Sequence, residues 1–79
     1  MNVTVLFFGA TAEAAGKRCV DVTVDDAATS REVFDTVLKD YPSLASHKLL
    51  FAVNQEYATG EEKLSPNDEL AVFTAVSGG

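Results

Sequence analysis

Apolar and polar residues alternate over several short stretches of this chain, and one stretch between them follows a helical period instead. From Val3 to Phe8 the side chains of Val3, Val5 and Phe7 share one face of an extended strand, and those of Thr4, Leu6 and Phe8 share the other. Both faces are largely apolar, so this strand belongs inside a sheet or turns one face to a partner. Gly9 to Gly16 is an alanine-rich connection in which Thr11–Ala15 predicts one helical turn, stopped by Gly16. Arg18 to Val24 reads as a second strand with Val20, Val22 and Val24 on one face. Asp25–Ala28 is a turn. Thr29-Ser30-Arg31-Glu32 then has the Thr-x-x-Glu form of a capping box, and Val33, Phe34, Val37, Leu38 and Tyr41 follow at helical spacing. The pattern predicts a helix over 30–40, ended by Pro42. Leu49–Asn54 reads as a third strand and Gln55–Ala58 as a short fourth. Leu64 is a core plug, Ser65–Asp68 a turn, and Glu69–Phe73 the last strand, with Leu70 and Val72 on one face and Ala71 and Phe73 on the other.

The order β-β-α-β-β-β, with one amphipathic helix for one sheet, predicts an α+β fold of the β-grasp (ubiquitin-like) arrangement. A mixed sheet of four to five strands packs one face on the main helix, and the first and last strands lie parallel, side by side. Residues 1–74 form the domain, and 75–79 a flexible Gly-Gly tail. Parity then has a consequence. If Val3, Val5, Phe7, Leu70 and Val72 face the helix, Leu6, Phe8, Ala71 and Phe73 face away on neighbouring central strands. That is an uncovered apolar patch beside the start of the tail, the kind of surface that marks a protein contact.

Composition narrows the chemistry. Seventy-nine residues at 47% hydrophobic and 23% charged make one ordinary domain with a net charge of −6. The acidic balance excludes a row of nucleic-acid phosphates as ligand, disfavours anionic membranes and suits a basic protein partner. No apolar run spans a bilayer, and the single cysteine, Cys19, forms no internal disulfide, so the cytosol is the expected location. Catalytic side chains are not evident. His47, the only histidine, is expected in a solvated loop, and Cys19 is expected as a buried, inert thiol. Glu61-Glu62 and Asp25-Asp26 read as solvated turn charges, and no Cys, His and carboxylate group has metal-ligand spacing.

What stands out is the end of the sequence, Val76-Ser77-Gly78-Gly79. Glycine brings no side chain beside its carboxylate and reaches backbone angles other residues avoid. A tail of Thr74 to Gly79 reaches at most about 20 Å when extended, enough to enter a partner's cleft. The expected reactive group is therefore the Gly79 carboxylate, activated as an acyl-adenylate and then attacked by a sulfur nucleophile.

Three stretches together resemble a known family: Val5-Leu6-Phe7-Phe8-Gly9, Phe51-Ala52-Val53-Asn54-Gln55-Glu56-Tyr57, and Asp68-Glu69-Leu70-Ala71-Val72-Phe73 running on to Val76-Ser77-Gly78-Gly79. The family is that of the small, sulfur-carrying subunits of molybdopterin synthase (MoaD-like), and the resemblance covers essentially the whole chain. It implies that an ubiquitin-activating-like adenylyltransferase and sulfurtransferase uses ATP to convert Gly79 to a glycyl adenylate and then to a thiocarboxylate (1-thioglycine). The chain itself binds no cofactor or metal. It also implies that Val76, Ser77 and Gly78 dock in the large (MoaE-like) catalytic subunit of a heterotetramer, where sulfur passes to cyclic pyranopterin monophosphate. In that resemblance Leu6, Phe8, Ala71 and Phe73 form the subunit interface, and the chain is not an enzyme on its own. Two departures stand out: Thr74-Ala75 replace the two prolines usual in the family, and Asn67 replaces a glycine before Asp68-Glu69. A carrier for thiamine or tRNA thiolation, a protein modifier joined through Gly79, and a plain interaction module remain as alternatives.

Overall fold

The first strand lies inside the sheet. In a computed structural model that describes residues 1–75, β1 (Asn2–Phe7) pairs antiparallel with β2 (Cys19–Thr23) on one side and parallel with β5 (Glu69–Thr74) on the other. The remaining elements are α1 (Ala10–Ala15), α2 (Ser30–Asp40), a 3₁₀ turn (Pro42–Ser46), β3 (Leu49–Val53) and β4 (Glu56–Tyr57). The sheet has five strands in the order β2-β1-β5-β3-β4. This is the expected β-grasp fold, with first and last strands as parallel neighbours. Residues 76–79, which hold the expected docking and reactive positions Val76, Ser77, Gly78 and Gly79, lie outside the described residues.

The face of the sheet turned to α2 follows the alternation. Val3, Val5 and Phe7 of β1 and Leu70 and Val72 of β5 are buried with Val33, Phe34 and Val37 of α2, and Leu44 and Leu64 close the ends of this core. Each fully buried valine or leucine contributes about 1.5–3 kcal/mol of transfer free energy. Phe34 stacks on Phe51 with ring centroids 4.4 Å apart, and Tyr41 meets Phe7 edge-on at 5.5 Å. The capping box forms as the sequence predicts: the Glu32 N–H donates to Thr29 Oγ1 at 3.2 Å, and the Thr29 N–H donates to Glu32 Oε1 at 3.1 Å. Tyr41 leaves the helix at φ −128°, as a residue before proline must. Asn67 adopts the left-handed conformation expected of it, at φ 71°.

Two expectations are corrected. Cys19 is exposed. It is the first residue of an edge strand and pairs with Leu6, so its side chain lies on the face away from α2 while Val20 and Val22 turn inward. Glu62 is not a loosely solvated charge either. Its carboxylate accepts the Ser30 hydroxyl at 2.6 Å, the Thr59 N–H at 2.7 Å and the Gly60 N–H at 3.0 Å. The loop it belongs to is sewn to the start of α2 by Ser30 N–H to Glu62 O (2.7 Å) and Arg31 N–H to Gly60 O (3.1 Å).

Candidate functional site

Among the described residues, the sheet face away from α2 carries no helix. Pairing lays its side chains out in rungs across the strands. Leu6, Ala71, Ala52 and Tyr57 form one rung over β1, β5, β3 and β4. Phe73 and Leu50 form the next, toward the end where β5 stops. The rung on the other side is polar: Thr4 pairs with Glu69 and with Asp21, and the Thr4 hydroxyl donates to Asp21 Oδ1 at 3.2 Å. The apolar area is therefore confined to the half of the sheet nearest the end of β5.

This arrangement brings together the four residues singled out from parity. Phe8 is 52% exposed, and Leu6, Ala71 and Phe73 are partly exposed beside it. With Ala52 and Tyr57 they wall a cavity of about 460 Å³, with Gln55 and Glu69 at its polar margin. Tyr57 was not foreseen in this role. It is 75% exposed, and its ring lies 5.9 Å from that of Phe73. The signal for it is faint, because β4 is two residues long and its register cannot be read from alternation. Leu50, 39% exposed, was also missed. The continuous run Leu49-Leu50-Phe51-Ala52-Val53 signals apolar residues on both faces of β3, which is the clue to it.

Local structure places Phe8. Just past β1 the chain turns sharply at Gly9, whose φ of 56° and ψ of −124° match the first central position of a type II′ turn, a conformation that favours glycine. The Thr11 N–H closes that turn onto Phe8 O at 3.1 Å. Thr11 itself is fully buried. Its Oγ1 accepts the Phe8 N–H at 2.9 Å and lies 2.8 Å from both Phe8 O and Val72 O, each able to accept its proton. Thr11 thus ties the end of β1 to β5 one residue before Phe73. Sequence reading took it only as part of a helical turn; a threonine in an alanine-rich segment carries little signal of its own.

At the end of β5 the Ala75 N–H still donates to Lys48 O at 3.0 Å, so pairing with the segment leading into β3 extends one residue past Thr74. β5 itself ends one residue beyond Phe73, whose partner across the pair is Leu50. Lys17 and Arg18 line a hollow adjoining Leu6 and Phe8 at the same end. His47 is exposed just before β3 and has no nucleophile–acid arrangement around it among the described residues. Nor do three His, Cys, Asp or Glu side chains gather there into a possible metal site.

Known proteins resemble this chain in architecture and in sequence. A molybdopterin synthase sulfur carrier subunit from Homo sapiens is 34% identical over 83 residues, covering 99% of this chain and 94% of its own. The corresponding Caenorhabditis elegans subunit is 32% identical, covering 100% and 99%. The crystal structure of the small archaeal modifier protein SAMP1 from Haloferax volcanii superposes with a TM-score of 0.88 at 32% identity, over 100% of both chains. The sequence profile of the ThiS family matches residues 5–79, from the middle of β1 to the final glycine. With a five-stranded β-grasp sheet and near-complete matches along its length, the chain belongs to the ThiS family.

Proposed function

We propose that the chain is a sulfur carrier subunit of molybdopterin synthase, and that its working group is the Gly79 carboxylate. The observation that carries this reading is the end-to-end match to eukaryotic relatives bearing that name, on a chain whose bare apolar face lies beside the end of β5. In the proposed chemistry a carboxylate oxygen of Gly79 attacks the α-phosphorus of ATP on an activating enzyme, and pyrophosphate leaves. A persulfide sulfur of the donor then displaces AMP from the acyl carbon to give an acyl disulfide, and a second thiol attacks the S–S bond, forming a disulfide with the donor and releasing the thiocarboxylate. Val76, Ser77 and Gly78 carry this group into the large subunit, whose side chains perform the transfer to the pterin substrate. Leu6, Phe8, Ala71 and Phe73, joined by Tyr57, form the docking surface. The chain contributes position and a carrier carbon; ATP is consumed by its activator.

One observation favours a second reading. SAMP1 is a small archaeal modifier protein, and the likeness to it spans both chains. In that reading the activated Gly79 carbon is attacked by a lysine amine of a target protein, and an isopeptide bond forms.

Intact-mass spectrometry after incubation with the activating enzyme, ATP and a sulfur donor distinguishes the outcomes. The carrier reading expects one oxygen replaced by sulfur at Gly79 and transfer to the pterin when the large subunit is added. A chain lacking Gly79 is expected to fold and still bind the large subunit, yet to deliver no sulfur. Full delivery without Gly79 overturns the reading, and lysine-linked conjugates in place of delivery favour the modifier.

A further inference from the structure

The buried polar side chains among the described residues are those of Thr11 and Ser30. Ser30 is accounted for, because its hydroxyl anchors Glu62. Thr11 is the buried residue of α1, whose other residues are four alanines and Glu13, and its hydroxyl reaches only the backbone of Phe8 and Val72. We propose that Thr11 is a positioning residue for partner docking: its hydroxyl pins Phe8 to β5 and so presents Phe8 and Phe73 as one preformed anchor. This rests on the reading of the open sheet face as the partner-binding surface.

The pin has a defined geometry. The Phe8 N–H reaches Val72 O only at 3.3 Å, a long bond, while Thr11 Oγ1 accepts it at 2.9 Å. The hydroxyl returns its single proton to Phe8 O or to Val72 O, each 2.8 Å away. One oxygen atom therefore contacts the backbone of Phe8 and of the residue that precedes Phe73. Valine has nearly the same shape but leaves the position of the hydroxyl empty of polarity. In Thr11→Val each backbone partner keeps one bond, so the fold is retained: Phe8 N–H to Val72 O, and the residue 11 N–H to Phe8 O. What is lost is the strong tie between the end of β1 and β5. A partner then has to order Phe8 during docking, and that ordering reduces affinity.

The experiment measures binding to the molybdopterin synthase large subunit and amide exchange in the free chain, for Thr11→Val, Thr11→Ser, Phe8→Asp and Thr29→Ala. Thr11→Val is expected to exchange the Phe8 amide faster and to bind about tenfold more weakly. Thr11→Ser, which keeps the hydroxyl, is expected to restore both. Thr29→Ala removes a helix cap at the other end of the molecule and lowers the melting temperature through general stability alone; its binding is expected to match wild type. Wild-type exchange and affinity in Thr11→Val overturn the inference, as does an equal affinity loss in Thr29→Ala. Phe8→Asp separates the two possible failures. Unchanged binding by that variant sinks the reading of the face, whereas weak binding by it beside wild-type binding by Thr11→Val sinks the role of Thr11 alone.

Discussion

Phe73 occupies two contacts at once: its ring lies 5.9 Å from Tyr57, and its strand pairs it with Leu50. It is half-buried in the free chain, so a partner that covers it removes the remaining apolar area from water without having to build a pocket from nothing. Central aromatic residues of that kind dominate interface energetics, with losses of about 2 kcal/mol or more on truncation. Phe73→Asp is therefore expected to weaken large-subunit binding by about thirtyfold or more, since each 1.4 kcal/mol is tenfold, and the introduced charge adds a desolvation cost. Calorimetric titration checks the affinity, and a thermal melt of the variant checks that the fold survives. Unchanged affinity would remove this face from the docking surface. Tyr57→Ala probes the residue that parity did not reveal. It is expected to lose less than Phe73→Asp, because it is the more exposed member of the pair and forms the margin of the cavity.

Helix α2 and the 59–63 loop form one unit, and their coupling was only half legible. The capping box and the apolar stripe could be read because both are local, set by residues three or four apart. The helix bounds 30–40 followed directly. The role of Glu62 was not legible, because its partner Ser30 is 32 residues away in sequence, and two adjacent glutamates in a polar loop look like solvated charge. The same divide runs through the candidate site. Leu6, Phe8, Ala71 and Phe73 follow from alternation within two strands. Tyr57, Leu50 and Thr11 depend on register or on tertiary packing, which alternation does not encode. The exposed Cys19 shows the converse error, a residue type's usual burial overridden by its place on an edge strand.

Glu62 gives this unit a pH dependence. The Ser30 hydroxyl first, then the N–H groups of Thr59, Glu62 and Gly60, hold its carboxylate down from 4.5 to about 2, against a smaller upward push from burial. A carboxylate depressed in the folded state binds fewer protons there than in the unfolded state. Its stabilising contribution is thus complete above the unfolded value of 4.5, shrinks as pH falls toward about 2, and is absent below that. Glu62→Gln is expected to melt at a lower temperature than wild type at neutral pH, with the gap closing as pH falls from 4.5 to 2. Thermal melts across that range check this, and a gap independent of pH would mean that the hydrogen bonds, not the charge, carry the effect. Thr29→Ala, in the same unit, is expected to cost about 1 kcal/mol at all these pH values.

Across the whole molecule the net charge is −6. Charges of both signs border the apolar face: Glu69 at the cavity margin, Glu13 with Lys17 and Arg18 in the hollow beside Leu6 and Phe8, and Glu56 and Glu62 in a hollow beside Tyr57. Asp25, Asp26 and Glu61 lie around the start of α2. A net negative field acts at long range on a basic partner and guides the approach, while the apolar rungs decide how long the complex lasts. Such steering is screened over a Debye length of about 8 Å at physiological salt. The association rate with the large subunit is therefore expected to fall several-fold as ionic strength rises, while the dissociation rate changes little. Glu61→Lys isolates the cause. Its side chain is exposed and outside the apolar cavity, so it alters the field without touching the contact. Stopped-flow kinetics are expected to show slower association and unchanged dissociation for this variant, with the difference vanishing at high salt. Phe73→Asp is expected to show the reverse pattern, a change carried mainly by faster dissociation. If Glu61→Lys instead shortened the lifetime of the complex, Glu61 would itself be in contact with the partner, and the docking surface would have to extend from the open sheet face to the start of α2.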